Sequence, residues 1–403
     1  MTAAAPRALE AFLARSGTAP TPARQAAAAL LRERGLPGIR EEAWKYTNLR
    51  PLVDIAWQAP PSNLSTDEGD LPLPGPALVF RDGRFEPALS RLPTLFRAQT
   101  GYSSPITPAD SLNALNALLT EDGAELAIPA GLDAGTLLLD HRGHGEAQPV
   151  SAHPRHRIRL GAGARLALVE LSRGHGTYLH APLFDIALAD GAHLRHIRLQ
   201  QESAEAFHLA RLDLELAANA EYDSFTLALG ARLARTEIRA RLTGPGAIVH
   251  LNAAQLLGGA QHGDFATIVR HEAPGCASRQ TVKNVLAGHA RGVFQGRIEV
   301  ARAAQKTDGY QMSQALLLSP NAEIDVKPEL EIYADDVKCS HGATIGELDA
   351  DALFYLRSRG LPEPEARGIL VRAFLADALD ALGDDPARAL LDAAIDQAWN
   401  RLP

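Results

Sequence analysis

From about residue 130 onward the chain repeats itself with a period near 28. Each unit holds an alternating apolar run, a small-residue turn with a central alanine, and a second alternating run. The turn alanines Ala164, Ala192, Ala220 and Ala247 stand 28, 28 and 27 residues apart. Gly275-Cys276 follows 29 further on, and Asn321-Ala322-Glu323-Ile324 echoes the turn again. Runs such as Leu212-Asp213-Leu214-Glu215-Leu216 and Ile238-Arg239-Ala240-Arg241-Leu242 alternate strictly, which puts the apolar side chains on one face of a strand. A fixed period in this range means stacked units, because one unit alone cannot bury its apolar face. With strands in every unit the stack is a β-solenoid or β-helix; a β-sandwich with evenly spaced turns is the competing architecture.

The flanks carry a helical texture. Ala8–Arg15 has Leu9, Phe12 and Leu13 on one face. Thr21-Pro22 supplies a capping hydroxyl followed by proline at the first helical position, and Gly35 stops the helix over Ala23–Arg34. Five prolines within 58–76 predict a loop, Asp82-Gly83 within Leu78–Phe85 a hairpin, and Ser111–Thr120 a short helix. Beyond the repeat, Leu353–Ser358 is helical. Pro362 and Pro364 open a second helix with Ile369, Leu370, Ala373 and Phe374 on one face. Asp384-Asp385-Pro386 opens a third. The expected division is an N-terminal helical region with a hairpin (1–125), a β-helix core (126–345) and a C-terminal helical domain (346–403). The helices are expected to cap the open ends of the solenoid.

Composition narrows the function. The net charge is −8 and no Lys/Arg block stands out, so no nucleic-acid partner is expected. No run of 18 apolar residues exists, so no transmembrane helix and no membrane role are expected. Met1–Arg15 lacks the basic head, apolar run and cleavage site of a signal peptide. The two cysteines, Cys276 and Cys339, make no disulfide framework and fit a reducing, cytoplasmic setting. They also fall short of the roughly four thiolates that a ferredoxin-type cluster takes. No Gly-Lys pair occurs, so no P-loop binds ATP; Gly161-Ala162-Gly163-Ala164 reads as a turn of the repeat.

Two histidine-rich stretches remain. His250, His262, His271 and His289 surround Cys276 at irregular spacings and read as solvent-facing or hydrogen-bonded histidines. The other stretch is Asp335-Asp336-Val337-Lys338-Cys339-Ser340-His341-Gly342. In a strand, Cys339 and His341 share one face. A thiol and an imidazole so placed suit a soft or borderline metal, or a nucleophile with its base, or simply a buried thiol beside a turn histidine.

At this point the sequence becomes recognisable. The run Lys327-Pro328-Glu329-Leu330-Glu331-Ile332-Tyr333-Ala334-Asp335-Asp336-Val337-Lys338-Cys339-Ser340-His341-Gly342-Ala343-Thr344 resembles the SufB/SufD family of iron–sulfur cluster assembly proteins. So do Leu353-Phe354-Tyr355-Leu356-Arg357-Ser358-Arg359-Gly360, Val293-Phe294-Gln295-Gly296, Gln305-Lys306-Thr307-Asp308 and the early Glu42-Ala43-Trp44-Lys45-Tyr46-Thr47. The match is dense over about 290–375 and thinner elsewhere. SufB-type chains are longer, richer in cysteine, and carry a Glu-His-Glu-Ala-Thr-type segment where this chain has Cys339-Ser340-His341-Gly342-Ala343-Thr344, so the likeness is to the SufD side. The resemblance implies a right-handed parallel β-helix flanked by helical domains. It implies a non-catalytic scaffold subunit of a SufBCD complex, paired with SufB near the C-terminal end of the β-helix. The C-terminal helices would dock the SufC ATPase, which binds the ATP and strains the SufB–SufD interface open. His341, with a cysteine of SufB, would hold a transient Fe–S cluster. Cys339 would be the neighbouring thiol, with Asp335 or Asp336 in a supporting, more structural role. Reduced flavin would belong to the complex as a whole. The alternative is an interaction-only adaptor that supports the arrival of iron while SufB carries every cluster ligand. An exposed strand edge would also suit a homodimer of the isolated chain.

Overall fold

The computed structural model describes residues 7–15, 21–61, 71–100, 108–379, 382 and 386–402. The chain enters through α1 (Arg7–Ala14), α2 (Pro22–Arg34) and the short α3 (Arg50–Val53). The Thr21 hydroxyl accepts from the Arg24 amide and Gly35 closes α2 at φ 73°. Next come the hairpin β1 (Ala77–Arg81) and β2 (Arg84–Phe85), strand β3 (Arg97–Thr100) and α4 (Ser111–Leu119). Asp82 and Gly83 both take positive φ, as a tight two-residue hairpin turn demands. Asp110 caps α4 by accepting from the Asn113 amide at 2.9 Å.

Each repeat then folds into two strands, and like strands of successive repeats pair in parallel. One ladder consists of β4 (Ala124–Ile128), β6 (Arg155–Leu160), β8 (Leu183–Leu188), β10 (Phe207–Leu216), β12 (Leu233–Leu242), β14 (His262–His271), β16 (Arg291–Val300) and β18 (Glu323–Ile332). The other consists of β5 (Asp133–Ala152), β7 (Arg165–His180), β9 (His193–Gln201), β11 (Glu221–Ala228), β13 (Ile248–Leu257), β15 (Ala277–Leu286), β17 (Thr307–Leu317) and β19 (Val337–Gly346). Parallel pairing in both ladders excludes the sandwich and makes a β-solenoid.

The interior is one apolar column. Ala164, Ala192, Ala220, Ala247 and Cys276 are all fully buried in it, one above the other at the corner where the first ladder hands over to the second. A small side chain is needed there because the chain reverses over the residue beneath. The expected echo at Ala322 belongs elsewhere. Ala322 lies in the opposite corner, clustered with Leu257, Leu286 and Ala290. In register, the position above Cys276 is held by the buried Thr307, 31 residues on.

The helices cover flanks rather than ends. The outward face of the second ladder is apolar too, through Val169, Ile197, Leu227 and Val285. Helices α6 (Glu363–Leu379) and α7 (Pro386–Trp399) lie on it with Val371, Leu375, Leu391 and Ile395. A sheet apolar on both faces must be covered on both, and that requirement outweighs end-capping. At the N-terminal end the cover is strand, with β1 pairing in parallel to β5 and β3 antiparallel to β4. Helices α1, α2 and α4 pack with Trp44 and Trp57 around Leu179, Phe207 and Leu209 on the side of the solenoid. At the other end β18 and β19 form a last rung with no full burial at any position. No helix among the described residues is long and apolar enough to cross a membrane.

Candidate functional site

The uncovered rung is where the sequence places its thiol and imidazole. In register, Val249 lies under Ser278, Ser278 under Gly309 and Gly309 under Cys339. The neighbouring inward column runs Leu251, Gln280, Gln311 and His341. Both columns therefore change from apolar to polar over the final rungs. Ser278, Gln280 and Gln311 are fully buried, so each needs a partner. His271 Nε2 lies 2.9 Å from Ser278 Oγ, and the Thr267 hydroxyl donates to Gln280 Oε1 at 2.6 Å. Gln311 Nε2 donates to the Glu329 carbonyl at 3.5 Å, whereas its Oε1, in the layer beneath His341, has no partner among the described residues.

Cys339 is half-buried against Ile298, Val300 and Ala304. Burial pushes its thiol above the ordinary value, opposed by the Gly309 backbone and assisted by the charge of Asp308. A thiol held neutral is a poor nucleophile at neutral pH, so the nucleophile-and-base reading of the pair loses ground. A metal would have to displace its proton. Gly309 makes room for the sulfur, since a Cβ there would stand 3.2 Å from Cys339 Sγ. His341 is exposed on the same strand face. Asp335 and Asp336 are exposed in the turn before β19, where the Asp336 amide donates to Gln305 Oε1 at 2.9 Å. Around the rung, Tyr333, Ile345, Phe354 and Tyr355 are exposed, Phe354 by 73%. Exposed apolar side chains beside an unpaired strand edge are the kind of surface that other chains pair with.

The other histidines do not gather around Cys276, whose thiol is buried and donates to the Gly244 carbonyl at 3.3 Å. His271 is buried at the end of β14; burial lowers it to about 4. His262 is held by Thr47 at 2.9 Å, His250 lies 3.7 Å from Asp223, and His289 is exposed in a turn.

The early signature becomes a strap over the first ladder. Trp44 covers the Arg235 guanidinium at 4.3 Å, Gln295 donates to the Ala43 carbonyl, and Glu42 pairs with Lys327 on β18.

Sequence reasoning missed a second constellation. Inside the N-terminal turns, His141 packs between His156 and His180, and His180 meets His208 edge to face. Glu170 and Glu202 are buried with them. Burial would raise Glu170, but Arg198 and His196 beside it hold it well below the carboxylate range. His208 and His180 likewise outweigh burial and hold Glu202 low. The signal was legible, because His180 and His208 are 28 apart, one repeat.

Among the described residues, the end rung offers only two soft or borderline donors, Cys339 and His341; it belongs to no cluster of three or more. The fold thus defines a class: a parallel β-solenoid whose last rung, carrying Cys339 and His341, is left uncovered. The chain belongs to the SufBD family. The family model for SUF system FeS cluster assembly, SufBD core domain, matches residues 141–374. The iron–sulfur cluster assembly protein SufD of Escherichia coli is 35% identical over 405 residues, covering 96% of this chain and 94% of that protein. A SufBD family protein of Synechocystis is 31% identical, over 89% of this chain and 86% of its own. One from Mycobacterium bovis is 26% identical, over 90% and 89%.

Proposed function

We propose that this chain is a non-catalytic scaffold subunit of SUF iron–sulfur cluster assembly. It pairs with SufB through the open rung and docks the SufC ATPase through the C-terminal helices of 346–403. The carrying observation is the pair of inward columns that turn polar and end on Cys339 and His341, uncovered. Two donors cannot hold an iron–sulfur cluster, so a partner strand laid on β18 and β19 supplies the rest. His341 is the cluster ligand and Cys339 the neighbouring thiol.

The nascent cluster is the cargo, to be held and then released. One imidazole and a partner's thiolate are a more exchangeable ligand set than four thiolates. A site split across an interface opens when the subunits move, which lets ATP on SufC drive the handover. The exposed Phe354 and Tyr355 on α5 (Ala350–Ser358), beside Leu361 and Pro362, suit a SufC contact. Reduced flavin enters no step carried by these residues. The adaptor reading, in which SufB holds every ligand, draws on the raised Cys339 thiol.

Anaerobic co-expression of the tagged chain with SufB and SufC, followed by pull-down and iron and sulfide analysis, tests the proposal. The wild type should bring down both partners with iron and sulfide, and His341→Ala should keep the partners and lose the cluster. A full cluster on His341→Ala leaves only the adaptor role; absence of both partners removes the scaffold role.

A further inference from the structure

The cluster-assembly reading leaves the buried constellation near the start of the solenoid unused. Strand β7 ends at His180, and its last residues pair with the start of β10 in the register Leu179↔Phe207 and His180↔His208. The two imidazoles meet edge to face with centroids 5.3 Å apart. Glu202 stands in the connection between β9 and β10. Its Oε1 lies 3.1 Å from His180 Nδ1 and its Oε2 2.8 Å from His208 Nδ1. All three side chains are buried, and one candidate donor atom from each lies within 4.8 Å of the others.

Three observations separate this set from an ordinary buried ion pair. First, Nε2 of His180 and Nε2 of His208 have no hydrogen-bond partner among the described residues, although both are buried. Native interiors rarely leave such nitrogens idle. His141 adds a third, with its ring 4.8 Å from that of His180 and its own Nε2 unpartnered. Second, the carboxylate is held from behind. Gln200 Nε2 donates to Glu202 Oε2 at 2.9 Å, and Gln200 Oε1 accepts from the Gly230 amide at 3.1 Å. The Ala231 amide donates to the Glu202 carbonyl at 3.2 Å, from a residue held at φ 67°. Ligating carboxylates are positioned by such outer hydrogen bonds, and an alanine in the left-handed region marks backbone kept there against its preference. Third, one member of the set lies beside open space. Glu202 also borders a groove of about 980 Å³, together with Arg142, His144, Arg173 and His175.

We propose that His180, Glu202 and His208 bind a divalent first-row transition metal inside the solenoid. Two imidazoles and one carboxylate are a donor set that Zn2+ and Fe2+ both take, with positions left for water or for His141. The ion ties the β7–β10 corner together from within, and it contains no sulfur ligand. The site is separate from the Cys339–His341 rung and does not depend on the function proposed for that rung.

The test uses the full chain, freed of metal with EDTA and desalted, alongside a Cys339→Ala/His341→Ala double variant. Each is dialysed to equilibrium against Zn2+, and against Co2+ as a spectroscopic stand-in, and metal per chain is measured. The double variant should retain one equivalent. Its Co2+ X-ray absorption should show imidazole and oxygen scattering with no sulfur. Gln200→Ala should weaken Zn2+ binding by about 10- to 100-fold, the usual effect of losing an outer-shell partner. His208→Gln should abolish binding while its metal-free circular dichroism stays that of the wild type; if that variant fails to fold, the absorption spectrum decides. A double variant that binds no metal, an ion with sulfur or without imidazole neighbours, or undiminished binding by folded His208→Gln overturns the proposal.

Discussion

Gly309 shows how much the end rung depends on one missing methyl group. A Cβ there would stand 3.2 Å from Cys339 Sγ and 3.3 Å from Ile298 Cδ1, closer than packed carbons normally sit. Gly309→Ala should therefore push the Cys339 thiol outward and cost about 1–3 kcal/mol. Faster alkylation of Cys339, with a lower melting temperature, checks this; unchanged reactivity would mean the sulfur is not seated on Gly309. His271 makes a second prediction. Folding holds it neutral down to about pH 4, whereas the unfolded chain protonates it near 6.5. The unfolded state thus binds the extra proton within that window, and stability falls as pH falls from about 6.5 to about 4, by roughly 3 kcal/mol from this residue. In His271→Asn that part of the loss should vanish from chemical unfolding measured across the same range; an unaltered pH slope would contradict the assignment. Spacing alone revealed that Cys339 and His341 share a face. It could not reveal that this face is the inward one, because a period of two is the same for both faces. The buried histidines escaped because their partners lie a whole repeat away, which shows in the 28-residue spacing of His180 and His208 and not in short motifs.

At the scale of elements the repeat was legible and its phase was not. Both corners of the solenoid take small residues, so Ala322 looked like a continuation of the Ala164 series although it sits in the opposite turn. The hairpin, the capped α2 and α4 rest on local chemistry and were readable for that reason. The role of α6 and α7 was not, since helical periodicity states that a face is apolar and not what will cover it. Strands β18 and β19 carry a prediction of their own. With no rung above them, their amides should exchange with solvent much faster than those of β13 and β15 in the isolated chain. On binding SufB they should become protected; hydrogen exchange that is unchanged in the complex would place the interface elsewhere.

For the molecule as a whole, the two ends of the solenoid are treated differently. The first rung is closed by β1, β2 and β3, both flanks are covered by helices, and among the described residues only the last rung, with Cys339 and His341, stays open. Under the proposed function, that open edge is the place where SufB completes the chain. The central claim is that His341 binds iron in a cluster shared across that edge. The most direct measurement pairs this chain, labelled with 15N-histidine, with unlabelled SufB and SufC, assembles the cluster anaerobically, reduces it, and records pulsed electron paramagnetic resonance. A 15N coupling to the cluster in the wild type that disappears in His341→Ala is the result expected here. A cluster that forms with no 15N coupling, or keeps it in His341→Ala, would contradict it.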